Sequence, residues 1–348
     1  MLVLVTGGAG FIGGHVAEAL LGQGHDVRVV DALLPVAHAE PPELPDGIEW
    51  IAGDLRDPAV ARAAAAGVDA VSHQAAMVGL GRDARDMPAY VAHNDLATAE
   101  LLRALAERRF SGSFVLASSM VVYGEGAYRC PEHGPVRPPA RDPAELARGA
   151  FDPGCPHCAA PLSPAPVGED ARLDPRSLYA ATKLHQEHLA AVYAREQPGV
   201  RAVALRYHNV YGPRMPRDTP YAGVASIFRS ALAAGRAPRV FEDGRQLRDF
   251  VHVRDVARAN LLALTADNTL PPALNVASGA PTPLLAMAEA LAGPGAPRPE
   301  VTGEFRLGDV RHVFASARLA REALGFTARI GLTEGMRELA AAPLRAPA

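Results

Sequence analysis

The sequence predicts an α/β protein in which helices cover both faces of a parallel sheet. Short apolar segments of strand length alternate with helical patterns, and a glycine-rich turn joins the first apolar segment to the first helical pattern. Ligands bind such sheets at the carboxyl ends of the strands. The predicted strands are residues 2–5, 27–30, 48–52, 70–73, 113–117, 200–205 and 274–277, and the predicted helices are residues 14–23, 59–66, 88–108, 176–196 and 223–234.

Length and composition are those of a globular protein with room for two domains. The 348 residues are 49% hydrophobic and 21% charged, and the net charge of -3 gives no reason to expect nucleic acid or an anionic membrane as a partner. The N-terminus leads directly into an apolar strand without a basic leader, and no apolar run approaches membrane-spanning length. We therefore expect a soluble, cytoplasmic protein.

The glycine-rich turn has the spacing of a dinucleotide-binding site. Gly7, Gly10 and Gly13 lie between strand and helix, where the absence of side chains lets the backbone approach a pyrophosphate at the helix N-terminus. The second strand leads to Asp31, whose carboxylate can accept both hydroxyls of an adenosine ribose and would repel a 2'-phosphate. These features predict a Rossmann doubly wound sheet that binds NAD rather than NADP. The alternative is a glycine-rich turn without a ligand.

A tyrosine and a lysine four residues apart on a predicted helix indicate acid-base chemistry. Tyr179 and Lys183 project from the same helix face, and a nearby ammonium group favours the phenolate, which can take a proton. Lys183 is the single lysine among 35 basic residues, and arginine does not replace a compact point charge beside a titrating group. The sequence therefore predicts that Tyr179 acts as a base. The alternative is a chance pairing on a surface helix.

The three cysteines and a histidine have the spacing of a metal site. Cys130 and His133 form a CxxH motif, and Cys155 and Cys158 form a CxxC motif. Three thiolates and one imidazole complete a tetrahedral shell for zinc and leave no position for substrate water. We therefore predict a structural zinc that orders a long, proline-rich insert. His157 could replace His133 as the fourth ligand, and a CxxC redox pair or free thiols are the alternatives.

The ordered set of motifs resembles the extended short-chain dehydrogenase/reductase family, specifically its nucleotide-sugar epimerases and dehydratases. The resemblance rests on residues 6–13, on Ser119 at the end of a strand, on Tyr179 with Lys183, and on the segment RYHNVYGP that begins at residue 206. It covers nearly the whole chain. Only the Cys/His insert, at about residues 125–173, lies outside the pattern.

The resemblance implies two domains and a homodimer. Residues 1–211 would form the NAD-binding Rossmann domain, which contains the Cys/His insert. Residues 212–348 would mainly form a smaller C-terminal domain that binds the nucleotide sugar, with parts of residues 240–277 returning to the Rossmann core. The two long predicted helices, at residues 88–108 and 176–196, would pair with those of a second copy.

The resemblance also implies which residues form the site. Ser119, Tyr179 and Lys183 would be catalytic. The residues implied to bind NAD are Gly7, Gly10, Phe11, Ile12, Gly13, Asp31, Asp54, Leu55, Ala75, Ala76, Asn94, Tyr179 and Lys183. The residues implied to bind substrate are Ser119, Asn209, Arg248, Arg306 and Asp309. The two arginines would clamp the diphosphate through forked hydrogen bonds.

The resemblance implies a reaction that begins by oxidising C4 of the sugar. Tyr179 would take the proton of the 4-hydroxyl while hydride passes to NAD, and Ser119 would hydrogen-bond the oxygen. Met120 and Val121 stand where dehydratases and decarboxylases of the family carry acids, and no cysteine for 3,5-epimerisation lies nearby. A 4-epimerase is therefore favoured, with dTDP-L-rhamnose and dTDP-L-talose as its substrates. The alternatives are a UDP-hexose (glucose, GlcNAc or glucuronate) 4-epimerase, a 4-ketoreductase, a dehydratase and a non-catalytic NAD sensor.

Overall fold

A computed structural model describes residues 1–35, 37–38, 44–79, 83–217 and 223–345. Its strands are β1 (Leu2–Thr6), β2 (Asp26–Asp31), β3 (Ile48–Ala52), β4 (Ala70–His73), β5 (Ser113–Ser119), β6 (Ala127–Cys130), β7 (Gly134–Val136), β8 (Ser163–Ala165), β9 (Arg201–Tyr207), β10 (Asn209–Tyr211), β11 (Arg239–Val240), β12 (Leu247–His252), β13 (Ala273–Val276), β14 (Pro281–Pro283) and β15 (Glu300–Val301). Its α-helices are α1 (Phe11–Leu21), α2 (Pro58–Ala64), α3 (Met87–Tyr90), α4 (Ala97–Glu107), α5 (Pro143–Ala147), α6 (Leu178–Glu196), α7 (Val224–Ala233), α8 (Val253–Leu264), α9 (Leu284–Ala292), α10 (Arg318–Leu324) and α11 (Leu332–Ala341). Within these ranges, no helix has both the length and the apolar character needed to cross a membrane.

Seven parallel strands form the central sheet of the part of the chain that the structure describes. Their spatial order is β13, β9, β5, β4, β1, β2 and β3. Strands are added on one side of β1 up to β3 and then on its other side from β4 onward, which opens a crevice at the carboxyl ends of β1 and β4. All seven predicted strands belong to this sheet, so the predicted Rossmann doubly wound α/β fold is confirmed.

Helices bury the sheet from both faces, because the inner strands carry apolar side chains on both sides. On one face, Val16 and Leu20 of α1 pack in the same cluster as Val256 of α8. On the opposite face, Leu101 and Leu105 of α4 pack in a second cluster with residues of α2 and α6. These two cores hold the carboxyl ends of the strands in fixed positions.

The helix predicted at residues 88–108 is a continuous helical run that changes pitch at its centre. Between α3 and α4 the chain forms a π-helix at Val91–Leu96, the wider turn that is often found at functional sites. Asn94 lies in this turn and faces inward. Its amide nitrogen donates to the carbonyl of Met77 (3.0 Å) and to Oγ1 of Thr182 (2.9 Å), and its Oδ1 accepts from the Met77 amide (2.7 Å). Asn94 therefore ties the segment after β4 to α6.

A third apolar core lies beneath the smaller C-terminal layer. It contains Phe228 of α7, Met287 of α9 and Met336 of α11, and it underlies the small sheet of β10, β12 and β14. The chain then returns to the larger layer, since α8 packs against α1 and β13 forms an edge of the central sheet. The domain boundary after residue 211 stays a prediction.

The Cys/His insert has a small sheet of its own. Strand β6 pairs antiparallel with β7 on one side and with β8 on the other. Tyr128, Cys130, Cys155 and Leu162 form the buried cluster of this sheet. The insert is therefore regular where the sequence predicted a long loop with little periodicity.

Candidate active site

A cavity of about 370 Å³ lies at the carboxyl ends of the central strands. The glycine turn, the end of β2, the segment after β4 and the start of α6 all open onto it. Of the residues predicted to bind NAD, those that line the cavity are Gly7, Gly10, Phe11, Ile12, Gly13, Asp31, Asp54, Leu55, Ala75, Ala76, Tyr179 and Lys183. Asn94 is the exception, because its side chain braces Met77 from behind the cavity wall.

Two positions of the glycine turn require glycine for different physical reasons. Gly7 has a φ of 65°, in the left-handed region that favours glycine, and a Cβ there would lie 2.8 Å from the backbone of Ala75. A Cβ on Gly13 would collide with the carbonyl oxygen of Gly7. The turn can therefore pack closely on the segment after β4 and leave its backbone open to the cavity.

Asp31 ends β2 at the rim of the cavity. Its carboxylate accepts hydrogen bonds from the backbone amides of Ala9 (3.2 Å) and Leu33 (2.9 Å), which fix its orientation. Arg345 also lines this end of the cavity and donates to the carbonyls of Ala9 and Ala37, each at 3.0 Å. Arg345 was not predicted from the sequence, because it lies in no local motif and reaches the site only through the fold.

Ser119, Tyr179 and Lys183 come together where β5 meets α6. Ser119 is the last residue of β5, and its hydroxyl lies close enough to the Tyr179 phenol to lower the pKa of that group. Ser177 caps α6 by accepting from the amide of Ala180 at 3.1 Å. Lys183 is 2% exposed, and its Nζ lies 5.8 Å from the centroid of the Tyr179 ring.

The expected effect of Lys183 on the Tyr179 phenolate stays a prediction, and burial of both groups opposes it. Burial raises the pKa of the Tyr179 phenol, and the neighbouring Ser119 hydroxyl offsets only part of that effect. Burial also lowers the pKa of Lys183 to about 7, against the opposing charges of Glu187 and Asp95. The Lys183 ammonium donates to the carbonyl of Ala117 at 2.8 Å, so it acts on the phenol through its charge and not through a hydrogen bond.

A chain of buried hydrogen bonds joins the glycine turn to α6. Thr98 Oγ1 donates to the carbonyl of Asn94 (2.6 Å), so it can only accept from Nε2 of Gln186 (2.6 Å) and Nε2 of His73 (2.8 Å). His73 therefore carries its proton on Nε2 and accepts at Nδ1 from Oγ1 of Thr6 (2.7 Å). Burial lowers the pKa of His73 to about 3, consistent with this neutral ring.

The residues predicted to bind a diphosphate lie at the edge of the C-terminal layer. Arg248 donates to the carbonyls of Leu247 (2.9 Å), Arg311 (2.9 Å) and Val310 (2.7 Å). Burial raises the pKa of Asp309, while the charges of Arg248 and Arg306 act in the opposite direction, so these three side chains share one region. In the described part of the chain, no carboxylate lies within ion-pairing distance of Arg248. Its positive charge therefore remains available to a ligand.

Arg306 lines a second depression of about 560 Å³ and stacks on a ring that the sequence analysis missed. The guanidinium carbon of Arg306 lies 4.9 Å from the centroid of Phe241. Asn209 lies on β10, and its Oδ1 is buried without a hydrogen bond to the described residues. The aromatic face of Phe241 and the guanidinium group of Arg306 are suitable groups for holding a polar ligand with a ring.

The four predicted zinc ligands converge in the insert. Their donor atoms lie within 4.8 Å of one another. Cys130 Sγ is 3.7 Å from Cys158 Sγ and 3.5 Å from His133 Nδ1, and Cys155 Sγ is 3.7 Å from His133 Nδ1. Two thiolates at about 2.3 Å from a tetrahedral ion lie roughly 3.8 Å apart, and a thiolate and an imidazole nitrogen roughly 3.5 Å. The observed distances fit such an ion, and the fitting histidine is His133 rather than His157.

Residues 3–143 and 155–277 match the NAD dependent epimerase/dehydratase family. The chain belongs to this family. The prediction that residues from about 125 to 173 lie outside the family pattern is wrong, because the match leaves out only residues 144–154 of the insert. The strands and metal-ligand motifs of the insert fall within the matched ranges, and α5 falls mostly outside them.

Individual relatives in this family resemble the chain along nearly its full length. The dTDP-L-rhamnose 4-epimerase of Burkholderia thailandensis is 32% identical over 347 residues, which cover 97% of this chain and 93% of the relative. The structure of MoeE5 in complex with UDP-glucuronic acid and NAD superposes with a TM-score of 0.75 at 31% identity, covering 97% of both chains. The UDP-glucose 4-epimerase of Thermotoga maritima with UDP-glucose superposes with a TM-score of 0.78 at 28% identity, covering 98% of this chain and 97% of that one.

Proposed function

We propose that this chain is an NAD-dependent nucleotide-sugar 4-epimerase that acts through a transient 4-keto sugar. The observation that carries the proposal is that Tyr179 and Lys183 line the same cavity as the glycine turn and Asp31, with Ser119 against the Tyr179 phenol. Membership of the NAD dependent epimerase/dehydratase family supports it. So do the relatives named above, which are 4-epimerases or bind NAD with a UDP-sugar.

The glycine turn, Asp31 and Lys183 would hold NAD in the cavity, where it would supply reversible hydride acceptance for C4 of the sugar. The phenol oxygen of Tyr179 takes the proton of the 4-hydroxyl and later gives it back, and the Ser119 hydroxyl holds the sugar oxygen during this transfer. Lys183 contributes charge that favours the phenolate only while it is protonated. Burial raises the pKa of Tyr179 and lowers that of Lys183. A positive charge beyond that of Lys183 is therefore needed beside the Tyr179 phenol if the phenol is to lose its proton at neutral pH.

The residues after Ser119 favour epimerisation over other fates of the keto sugar. Met120 and Val121 occupy the short turn that follows β5, and neither side chain can transfer a proton. Dehydration or decarboxylation would therefore have to take its acid from elsewhere. Return of the hydride to C4 needs no further acid.

The substrate that we propose is dTDP-L-rhamnose with its C4 epimer dTDP-L-talose, on the strength of the similarity to the Burkholderia enzyme. Arg248 and Arg306 would bind the diphosphate, Asn209 and Asp309 would bind phosphate or sugar hydroxyls, and the base would lie against Phe241. UDP-hexoses are the second candidate, because structures of similar chains contain UDP-glucose and UDP-glucuronic acid.

Incubation with a panel of dTDP-, UDP- and GDP-sugars, followed by NMR of the products, tests this proposal. We expect the C4 epimer of a dTDP-6-deoxyhexose, formed without net consumption of NAD. A product that has lost water would contradict epimerisation. Inactivity toward the whole panel would favour a non-catalytic NAD-binding protein instead.

We propose that Cys130, His133, Cys155 and Cys158 hold a structural zinc ion. Four protein ligands fill a tetrahedral shell, so the ion would have no position for substrate. Its role would be structural only: it would join the CxxH and CxxC motifs of the insert.

We also propose that the chain forms a homodimer through α6 and the helical run from α3 to α4. Among the described residues, nine large apolar side chains are exposed, and four of these lie on the two helical segments: Met87, Val91, Leu96 and Val192.

Val91→Glu should therefore convert a dimer to a monomer in light scattering after size exclusion, because it places a charge in an apolar interface. Val301→Glu is the matched control, since Val301 is similarly exposed but lies on β15. A Val91→Glu protein that stays dimeric would exclude this interface.

A further inference from the structure

Two arms of the Cys/His insert contact residues 310–312, the segment that positions Arg248. The first arm, residues 125–128, leads directly into the metal ligand Cys130. The second arm, residues 151–152, leads into the metal ligand Cys155. The site formed by the cysteines and His133 therefore fixes the distance between the two arms at their far ends.

The first arm holds the backbone of Arg311 and His312. Oε1 of Glu125 accepts from the amides of Arg311 (2.9 Å) and His312 (3.2 Å), and it also accepts from the hydroxyl of Tyr128 (2.8 Å). The Tyr128 hydroxyl in turn accepts from the His312 amide at 3.2 Å. Glu125 is 5% exposed and Tyr128 2% exposed, so water does not compete effectively for these hydrogen bonds.

The second arm holds the side chains of the same two residues. Oδ1 of Asp152 accepts from Nε of Arg311 (2.7 Å) and lies 3.3 Å from Nε2 of His312. Arg311 is fully buried, and it also binds Glu242 (2.8 Å) and Asp243 (2.7 Å) from the C-terminal layer. The Arg311 guanidinium is thus the junction between the insert and the C-terminal layer.

The segment that these arms hold is the one that orients Arg248. The carbonyls of Val310 and Arg311 both accept from the Arg248 guanidinium, and Asp309 precedes them. Neutral carbonyls fix the direction of the guanidinium without cancelling its charge, which suits a group that must bind an anion. A shift of residues 310–311 would therefore turn Arg248 away from its ligand.

We propose that the insert acts as a strut, meaning a support that holds residues 310–312 in place. It would thereby set the affinity of the site for the diphosphate of the nucleotide sugar. This inference rests on the proposed function, in which Arg248 binds that diphosphate. None of the described residues that line the NAD cavity comes from the insert. Loosening the strut should consequently weaken nucleotide binding and raise the KM, and leave NAD content and kcat close to those of the wild type.

The test uses one variant in each arm of the full-length protein. Asp152→Ala removes the second arm's hold on Arg311, and Tyr128→Phe removes one hydroxyl from the first arm. Glu145→Ala is the control, because Glu145 is an exposed carboxylate of the same insert. Binding of dTDP and of UDP is measured by calorimetry, with NAD and zinc content determined for each protein. We expect each arm variant to bind the preferred nucleotide about five- to twentyfold more weakly, with NAD and zinc unchanged and the control like the wild type.

Three outcomes would contradict different parts of the inference. Wild-type affinity in both arm variants would exclude the strut while leaving the epimerase proposal intact. Loss of NAD and zinc together with nucleotide affinity would show a general unfolding instead of a specific positioning role, and would overturn the inference. Failure of the wild-type protein to bind either dTDP or UDP would instead remove the proposed function on which the inference rests.

Discussion

Replacing Tyr179 with phenylalanine should lower turnover about a hundred- to ten-thousandfold while NAD content stays at the wild-type level. The substitution removes one hydroxyl, and that oxygen is the atom that must take and return the proton of the sugar 4-hydroxyl. The ring remains to fill its place beside Ser119 at the start of α6. Turnover is followed by NMR of the nucleotide sugar, and NAD is quantified after denaturing the purified protein.

Tyr193→Phe is the matched control on the same helix. Tyr193 is 7% exposed, and its hydroxyl makes no hydrogen bond with the described residues. Removing that hydroxyl should therefore change neither turnover nor NAD content, since it leaves no partner group unsatisfied. If Tyr179→Phe retained wild-type turnover, another group would have to be the base. If both variants lost activity equally, the defect would lie in the packing of α6.

The sequence predicted those parts of the site whose requirements are local. A left-handed turn at Gly7 and a close backbone approach at Gly13 exclude side chains whatever the rest of the fold does. Likewise, Tyr179 and Lys183 share a helix face because of helical spacing alone. The central sheet followed from the alternation of apolar strands and helices, because each parallel strand needs a helical crossover.

The remaining parts depend on residues that meet only in the folded chain. Arg345 reaches the cavity from a position 314 residues beyond Asp31 (345 − 31), and no spacing rule connects the two. The sequence predicted Arg248 as a diphosphate ligand but gave no sign that the carbonyls of residues 310–311 orient it. Spacing places Lys183 near the Tyr179 ring but does not reveal how deeply both groups are buried, and burial raises the pKa of Tyr179 and lowers that of Lys183.

The choice between the two histidines of the insert is a case where sequence left two answers and geometry favours one. His133 and His157 lie with ring centroids only 5.1 Å apart, so spacing alone could not separate them. Nδ1 of His133 lies 3.5 Å from Sγ of Cys130 and 3.7 Å from Sγ of Cys155, the separation of two atoms that bind one tetrahedral ion. We therefore propose His133 as the fourth ligand, with the imidazole of His157 beside the site.

His133→Ala should consequently lose the metal, whereas His157→Ala should keep it. We expect about one zinc per chain in wild-type protein purified without added zinc, and a much lower content in His133→Ala. Zinc bound by a structural site of this type contributes roughly 10 kcal/mol or more of folding free energy, comparable to the total stability of a domain. Loss of the ion should therefore open the insert, and hydrogen exchange should show rapid exchange in β6, β7 and β8 with the central sheet still protected.

The pair of variants makes this test specific, because each removes one exposed imidazole and the two imidazoles are neighbours in space. A loss of zinc in His157→Ala with retention in His133→Ala would reverse the ligand assignment. A wild-type protein that contains no metal and nevertheless protects β6, β7 and β8 from exchange would show that the insert folds on its own hydrophobic cluster. In that case the close approach of the three thiols would reflect packing around Tyr128 and Leu162, and the four-ligand site would have no structural role.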